Sequence, residues 1–298
     1  MNIIKKTTGF ATSFDGTPIF YEVRGEGPPL ILCYGIACLT NHWHHQVKYF
    51  SSQYQVIMLD YRGHHQSPIP QQHDQLTIDA CVNDIKAVVD HLKLEKASFW
   101  GHSWGTQLLV RAYDLYPEMF NNIVMINGFA SNPITGMFGT NLPVAAFELM
   151  KKTYEQLPET SNYLWKKMVY NPISLWFMQV SGGFNPHLTA VKDIEVYLKG
   201  VASIDIKVFL TLFEAMMNYD GRSVLDRFDV PTLIIAGEKD TVTPFKYQEA
   251  LHKRIKGSEL TKVAFGSHCT MLDMPEFVNL RIEKFLKENK LGSTKSEK

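Results

Sequence analysis

Ser103 stands in Gly101-His102-Ser103-Trp104-Gly105, between the apolar run "ASFW" and the helical pattern "TQLLVRAYDLY". A serine hydroxyl is a weak nucleophile unless a base can take its proton, so this residue gains chemistry only if the chain also supplies an imidazole and an acid to hold it. A sharp turn from strand to helix would expose the hydroxyl and strain the serine backbone. Gly101 and Gly105 then stand where a side chain would strike the neighbouring strand and helix. A Gly-rich phosphate turn is the competing reading, but the GxGxxG spacing and the lysine of a phosphate loop are missing. Downstream, "GEKDTVTP" puts Asp240 just after the apolar run "PTLIIAG", and "GSHCTMLDMPEF" puts His268 just after "LTKVAF". Loops at the C-terminal ends of parallel strands are where open sheets build their sites, and both residues fall in such loops. Glu238, two residues before Asp240, is the rival for the acid.

Positioning these groups requires the strands just named. "PLILCYG", "YQVIMLD", "KASFW", "NNIVMING", "PTLIIAG" and "LTKVAF" are apolar without strict alternation, as strands buried on both faces are. Helical spacing in "TIDACVNDIKAVVDHLK", "TQLLVRAYDLYPEMF" and "FVNLRIEKFLKENK" between or after them implies crossover connections and a mainly parallel sheet. "GFATSF" and "TPIFYEVRG", joined at Asp15-Gly16, read instead as an antiparallel hairpin. From 132 to 219 the rhythm turns helical without a parallel strand. The expected organisation is therefore a core of residues 1–131 and 220–298 with a helical cap at 132–219. That insertion holds six of the twelve methionines together with Phe138, Phe147, Trp165, Trp176, Phe177 and Phe213. Such residues at helical spacing are ordinarily core, yet an adaptable apolar layer also suits an acyl or aromatic pocket. Tyr34, Phe138 and Trp176 are the candidate pocket residues. The tail "KLGSTKSEK" is expected to be disordered.

Thirty basic residues balance thirty acidic ones with no long like-charge block, which argues against a nucleic-acid groove or a polybasic membrane anchor. Small neutral molecules are the expected partners, and a homodimer is compatible with the composition. The N-terminus shows no signal-peptide pattern, and "PPLILCYGIACL" is too short to span a bilayer. Four cysteines without a CxxC pair fit a reducing compartment, so a cytoplasmic location is expected. His42, His44, His45, His64 and His65 fall in two loops expected to open at one sheet edge. Their spacing matches no zinc motif and no carboxylate or cysteine completes a ligand set, so no metal and no cofactor is expected.

"DYRGHHQS" after the fourth strand, "GHSWG", "GEKDTVTP" and "GSHCTMLDMPEF" together make the sequence resemble the α/β-hydrolase superfamily, over nearly the whole chain outside the insertion. The resemblance implies a mostly parallel eight-stranded sheet flanked by helices, with the cap inserted after strand 6. It implies a triad in the order Ser103, Asp240, His268, with Asp240 favoured over Glu238 by position. It implies an oxyanion hole from the backbone N–H groups of Ile36 and Trp104. Two departures stand out: Tyr34-Gly35 where relatives commonly have His-Gly, and His65 where a second glycine is usual. Some relatives place the acid after the sixth strand, where this chain has Asn127. His102, Asp60 and Arg62 read as structural, and Cys269 as a packing residue.

Haloalkane dehalogenases and epoxide hydrolases resemble this chain in having Trp after the nucleophile, but they use aspartate there. Serine forms an acyl-enzyme instead, which points to esters, thioesters, lactones or amides. The HGGPG loop of proline iminopeptidases is absent. The expected activity is that of a carboxylesterase or lipase-like serine hydrolase acting on small to medium apolar acyl esters. Acyl transfer or perhydrolysis, carbon–carbon bond hydrolysis, and a hydrolase-like small-molecule receptor are the alternatives.

Overall fold

The computed structural model describes residues 5–289, and in it the apolar runs form one eight-stranded sheet. The strands are β1 (Lys6–Thr12), β2 (Pro18–Arg24), β3 (Pro29–Cys33), β4 (Gln55–Leu59), β5 (Ala97–His102), β6 (Phe120–Ile126), β7 (Thr232–Gly237) and β8 (Glu259–Val263), in the order β1-β2-β4-β3-β5-β6-β7-β8. β1 and β2 form the expected hairpin, paired from Lys6↔Arg24 to Thr12↔Pro18 around a turn in which Gly16 takes φ 84°. β2 meets β4 antiparallel, and every pair from β4 to β8 is parallel. All six residues of β5 and of β7 are buried, because helices cover both faces of the sheet centre.

Helices α1 (His44–Phe50), α2 (Ile78–His91) and α3 (Trp104–Leu115) belong to the first half. The Thr77 hydroxyl caps α2 by accepting from the Ala80 N–H at 3.1 Å, and the helix turns Ile78, Val82, Ile85 and Val89 inward. After β6 the chain leaves the sheet and builds α4 (Leu142–Gln156), α5 (Pro158–Val169), α6 (Pro172–Val180), α7 (Val191–Ser203) and α8 (Ile206–Asn218). It returns through α9 (Arg222–Leu225) to β7, then α10 (Lys246–Arg254), β8, α11 (Thr270–Asp273) and α12 (Pro275–Glu288). The inserted segment holds a small core of Ile134, Phe147, Ile206 and Leu210, while Leu198, Val208 and Leu212 join the main core. α6 buries no residue completely; its Ile173 and Trp176 are 75% and 60% exposed. No helix among the described residues is long and apolar enough to cross a membrane. The tail expected to be disordered lies outside the described residues.

The turn after β4 rests on a buried ion pair. Arg62, with no exposed side chain, donates to Asp84 at 2.6 and 2.8 Å, to Asp15 at 2.9 Å and to the Gln75 carbonyl at 3.0 Å. Those carboxylates hold the guanidinium charged. Arg62→Met should lower stability by about 3–5 kcal/mol, because it strands the Asp84 carboxylate without a counter-charge. Burial pushes that carboxyl above its ordinary 3.8, and without Arg62 nothing comparable opposes the push. A folded-state pKa above the unfolded one favours folding at low pH and is lost as pH rises. The melting-temperature gap between Arg62→Met and wild type should therefore widen from pH 4 to pH 7; a constant or narrowing gap would contradict this account.

Candidate active site

Ser103 sits at the junction of β5 and α3 with φ 54° and ψ −122°. A conformation of this kind costs about 1–3 kcal/mol for a residue with a Cβ and persists only where the surroundings impose it. They do so by crowding. A Cβ on Gly101 would lie 2.7 Å from the Thr106 backbone nitrogen, and one on Gly105 would lie 2.2 Å from the Cys33 carbonyl oxygen. Both glycines are therefore required for α3 to pack this closely on β3 and β5.

Asp240 follows β7 and His268 follows β8, and the two side chains meet, with His268 Nδ1 3.0 Å from Asp240 Oδ2. The carboxylate is surrounded by donors. Oδ1 accepts from the backbone N–H groups of Val242 (2.9 Å) and Thr243 (2.8 Å), while Oδ2 accepts from Asn127 Nδ2 (2.6 Å) and the Thr243 hydroxyl (2.7 Å). With Nδ1 committed to the acid, Nε2 is the ring nitrogen left for the cavity that His268 and Ser103 both line. Among the described residues Ser103 Oγ has no hydrogen-bond partner, and catalytic hydrogen bonds of this kind often tighten only when substrate arrives. Glu238 is exposed and its carboxylate lies near Lys239 and Lys262. Asn127, noted in the sequence only because it is not an acid, is the clamp between Asp240 and the Ser267 carbonyl (3.0 Å), held at φ 49°.

The N–H groups of Ile36 and Trp104 have no backbone acceptor among the described residues. Trp104 opens α3, so its N–H is one of the donors every helix N-terminus leaves free. Ile36 belongs to the loop after β3, and a Cβ on Gly35 would reach within 3.1 Å of the Ser103 Cβ. His64 braces this loop: its Nδ1 donates to the Arg62 carbonyl (3.2 Å), and its Nε2 accepts the Ala37 N–H (3.3 Å). His65 takes the left-handed conformation that explains the usual glycine there (φ 45°), and its Nε2 donates to the Cys38 carbonyl at 2.7 Å.

A cavity of ≈ 650 Å³ opens over Ser103. Its far wall is Phe138, Trp165, Trp176, Phe177 and Phe213 with Met137, Met168 and Met178, all from the inserted segment. Phe138 and Trp176 thus line it as expected. Tyr34 does not, and this corrects the expectation: it is fully buried behind the loop, packed 4.6 Å from Tyr61, with its hydroxyl accepting the Tyr61 N–H and donating to Asp60. Its side chain points away from the cavity because the chain alternates sides as it leaves β3.

The histidines separate. The fold brings Asp193 from α7 beside His44 and His45 (3.6 and 4.0 Å), and it brings Cys38 beside His42 and His102. Asp193 reaches the His44–His45 pair only through the fold, whereas Cys38 already shares the loop after β3 with His42 and the fold adds His102 to them.

A family model described as alpha/beta hydrolase fold matches residues 28–175, and one described as TAP-like protein matches residues 217–297. The chain is 27% identical over 283 residues to epoxide hydrolase 4 of Mus musculus, covering 92% of this chain and 77% of that one. It is 26% identical over 269 residues to 3-oxoadipate enol-lactonase 2 of Acinetobacter baylyi, covering 89% and 90%. Among solved structures, a bromoperoxidase from Bacillus anthracis superposes with a TM-score of 0.76 at 22% identity, covering 94% of this chain and all of that one. The esterase EaEST from Exiguobacterium antarcticum gives 0.72 at 20%, with the same coverage. At such identities the structures speak to the fold alone.

Proposed function

Because the chain belongs to the α/β-hydrolase superfamily of hydrolases, we propose that it is a serine hydrolase that cleaves carboxylic esters of small to medium apolar acyl groups. The observation carrying this reading is that His268, held by Asp240, shares one apolar cavity with a strained Ser103. Epoxide hydrolase 4 and the enol-lactonase bear names for different chemistries. A serine at position 103 supports the acyl-transfer side of that divide, since attack by a hydroxyl on a carbonyl leaves an ester that water can later cleave.

In the proposed reaction Ser103 Oγ attacks the ester carbonyl carbon while His268 Nε2 takes the hydroxyl proton. The negative charge moves to the carbonyl oxygen, where the N–H groups of Ile36 and Trp104 receive it. Collapse breaks the bond to the leaving alcohol, which takes the proton back from His268. Water, deprotonated by the same ring, then releases the acid and restores Ser103. The apolar wall, with Met137, Met168, Met178 and Met216, suits alkyl or aryl acyl groups of varied shape.

Steady-state hydrolysis of p-nitrophenyl esters from acetate to laurate tests the reading. The expected result is turnover throughout, with kcat/KM highest in the middle of the series, where the acyl chain fills the cavity without protruding. Slow or single-turnover release across the whole series would instead favour a receptor or another acyl acceptor.

A further inference from the structure

Behind the loop that carries Ile36, Cys38, His42 and His102 bring a sulfur and two imidazole nitrogens within 4.8 Å of one another. All three residues are almost wholly buried. His102 Nε2 lies 2.9 Å from the His268 carbonyl oxygen, which can only accept, so Nε2 carries the proton and Nδ1 holds a lone pair. That Nδ1 is buried without a partner, and so is His42 Nε2. The rings lie 4.8 Å apart at 37°, and a Cβ on Gly35 would come 3.3 Å from His102 Nδ1 and 3.4 Å from Cys38 Sγ, which puts both atoms around one point. Two buried polar atoms on neighbouring rings, both without partners, leave room for an occupant that bonds both.

A thiol beside two neutral imidazoles is the donor set of a thiophilic divalent ion. We propose that Cys38, His42 and His102 form a binding site for Zn²⁺ or a similar thiophilic divalent cation, with a fourth position open to the cavity. Cys38 and His102 both line that cavity, which supplies the route in. On binding, the Cys38 S–H bond breaks, a sulfur–metal bond forms and the proton leaves to solvent; no electron is transferred. The backbone carbonyl that orients His102 plays the outer-shell role that carbonyls play for metal-bound histidines.

The placement implies a control on the reaction proposed above, and this part rests on that reading. Cys38 is two residues from Ile36, and His102 adjoins Ser103 while holding the His268 carbonyl. An ion that draws the three ligands inward moves the loop and the nucleophile together, and is expected to slow turnover.

Titration of the chelator-stripped full chain with Co²⁺ tests the site without relying on activity. One Co²⁺ per chain with a near-ultraviolet thiolate-to-cobalt band, displaced by Zn²⁺, is expected. Cys38→Ser should abolish the band, and His42→Gln should weaken affinity by more than the roughly 10–100-fold that loss of an outer-shell partner costs, with circular dichroism confirming that each is folded. Asp193→Asn, at the separate His44–His45 cluster, should leave the band intact. No thiolate band, a band that survives Cys38→Ser, or binding lost only with Asp193→Asn would overturn the proposal. So would a crystal soaked in Zn²⁺ that shows only water between the two nitrogens. Zn²⁺ inhibition of ester turnover, measured against each protein's own metal-free rate, should be present in wild type and absent in Cys38→Ser. Metal bound without inhibition would retain the site and remove only the control.

Discussion

Ser103→Ala is expected to lower kcat for the best p-nitrophenyl ester on the order of 10⁴-fold or more, with little change in KM or melting temperature. The stability half of this expectation follows from the absence of a hydrogen-bond partner for Ser103 Oγ among the described residues: removing it strands no buried group. The backbone at φ 54° is imposed by β3, β5 and α3, so it stays strained in the alanine variant as in wild type. His268→Ala should match the loss, and the double variant should be no worse than either single one, because a nucleophile and its base act as a unit. Stopped-flow release of p-nitrophenol reads all three. Residual turnover in Ser103→Ala above about one hundredth of wild type would rule out a serine acyl-enzyme as the source of activity.

Sequence reading reached the sheet because β3 to β7 are covered on both faces, which makes each an uninterrupted apolar run flanked by turn residues. It reached Ser103 and Asp240 for a related reason: each lies at the C-terminal end of such a strand, so finding the strand finds the loop, whereas His268 follows the part-buried β8. What escaped it depends on contacts between distant segments. Asp193 and the His44–His45 pair lie far apart in sequence, and only the packing of the inserted helices over the sheet joins them. α1 was hidden because "HHQVKYF" fully buries only Gln46 and Phe50, too few for an apolar stripe. α6 misleads in the opposite sense, since "PISLWFMQV" is apolar on all sides yet only partly covered; its Ile173, Trp176 and Phe177 ring the cavity instead of entering a core. Tyr34 was misplaced by neighbourhood: it adjoins the loop in sequence, but its side chain faces Asp60.

Asp240→Asn should lower kcat about 10³–10⁴-fold while leaving the fold intact. Two backbone N–H groups point at Oδ1, so the amide oxygen of the variant will occupy that place and turn its NH₂ toward His268 Nδ1. A donor facing Nδ1 forces the ring to present a lone pair there and to carry its proton on Nε2, which then has no capacity to accept one from Ser103. The same NH₂ also meets the amide of Asn127, a donor at the old Oδ2 position. Asn127 therefore offers a second test of whether the acid is needed as a charge or only as a shape. In Asp240→Ala the space next to His268 Nδ1 is vacated, and adding Asn127→Asp returns a carboxylate from the loop after β6, within reach of the emptied position. The double variant should recover at least about tenfold in kcat over Asp240→Ala, less than full activity because the new carboxylate faces the Ser267 carbonyl that Asn127 now satisfies. Recovery would show that His268 requires an acceptor at Nδ1 and tolerates its arrival from either strand end. A double variant no faster than Asp240→Ala, with both proteins folded, would show that the donor cradle around Asp240 is as necessary as the charge it holds.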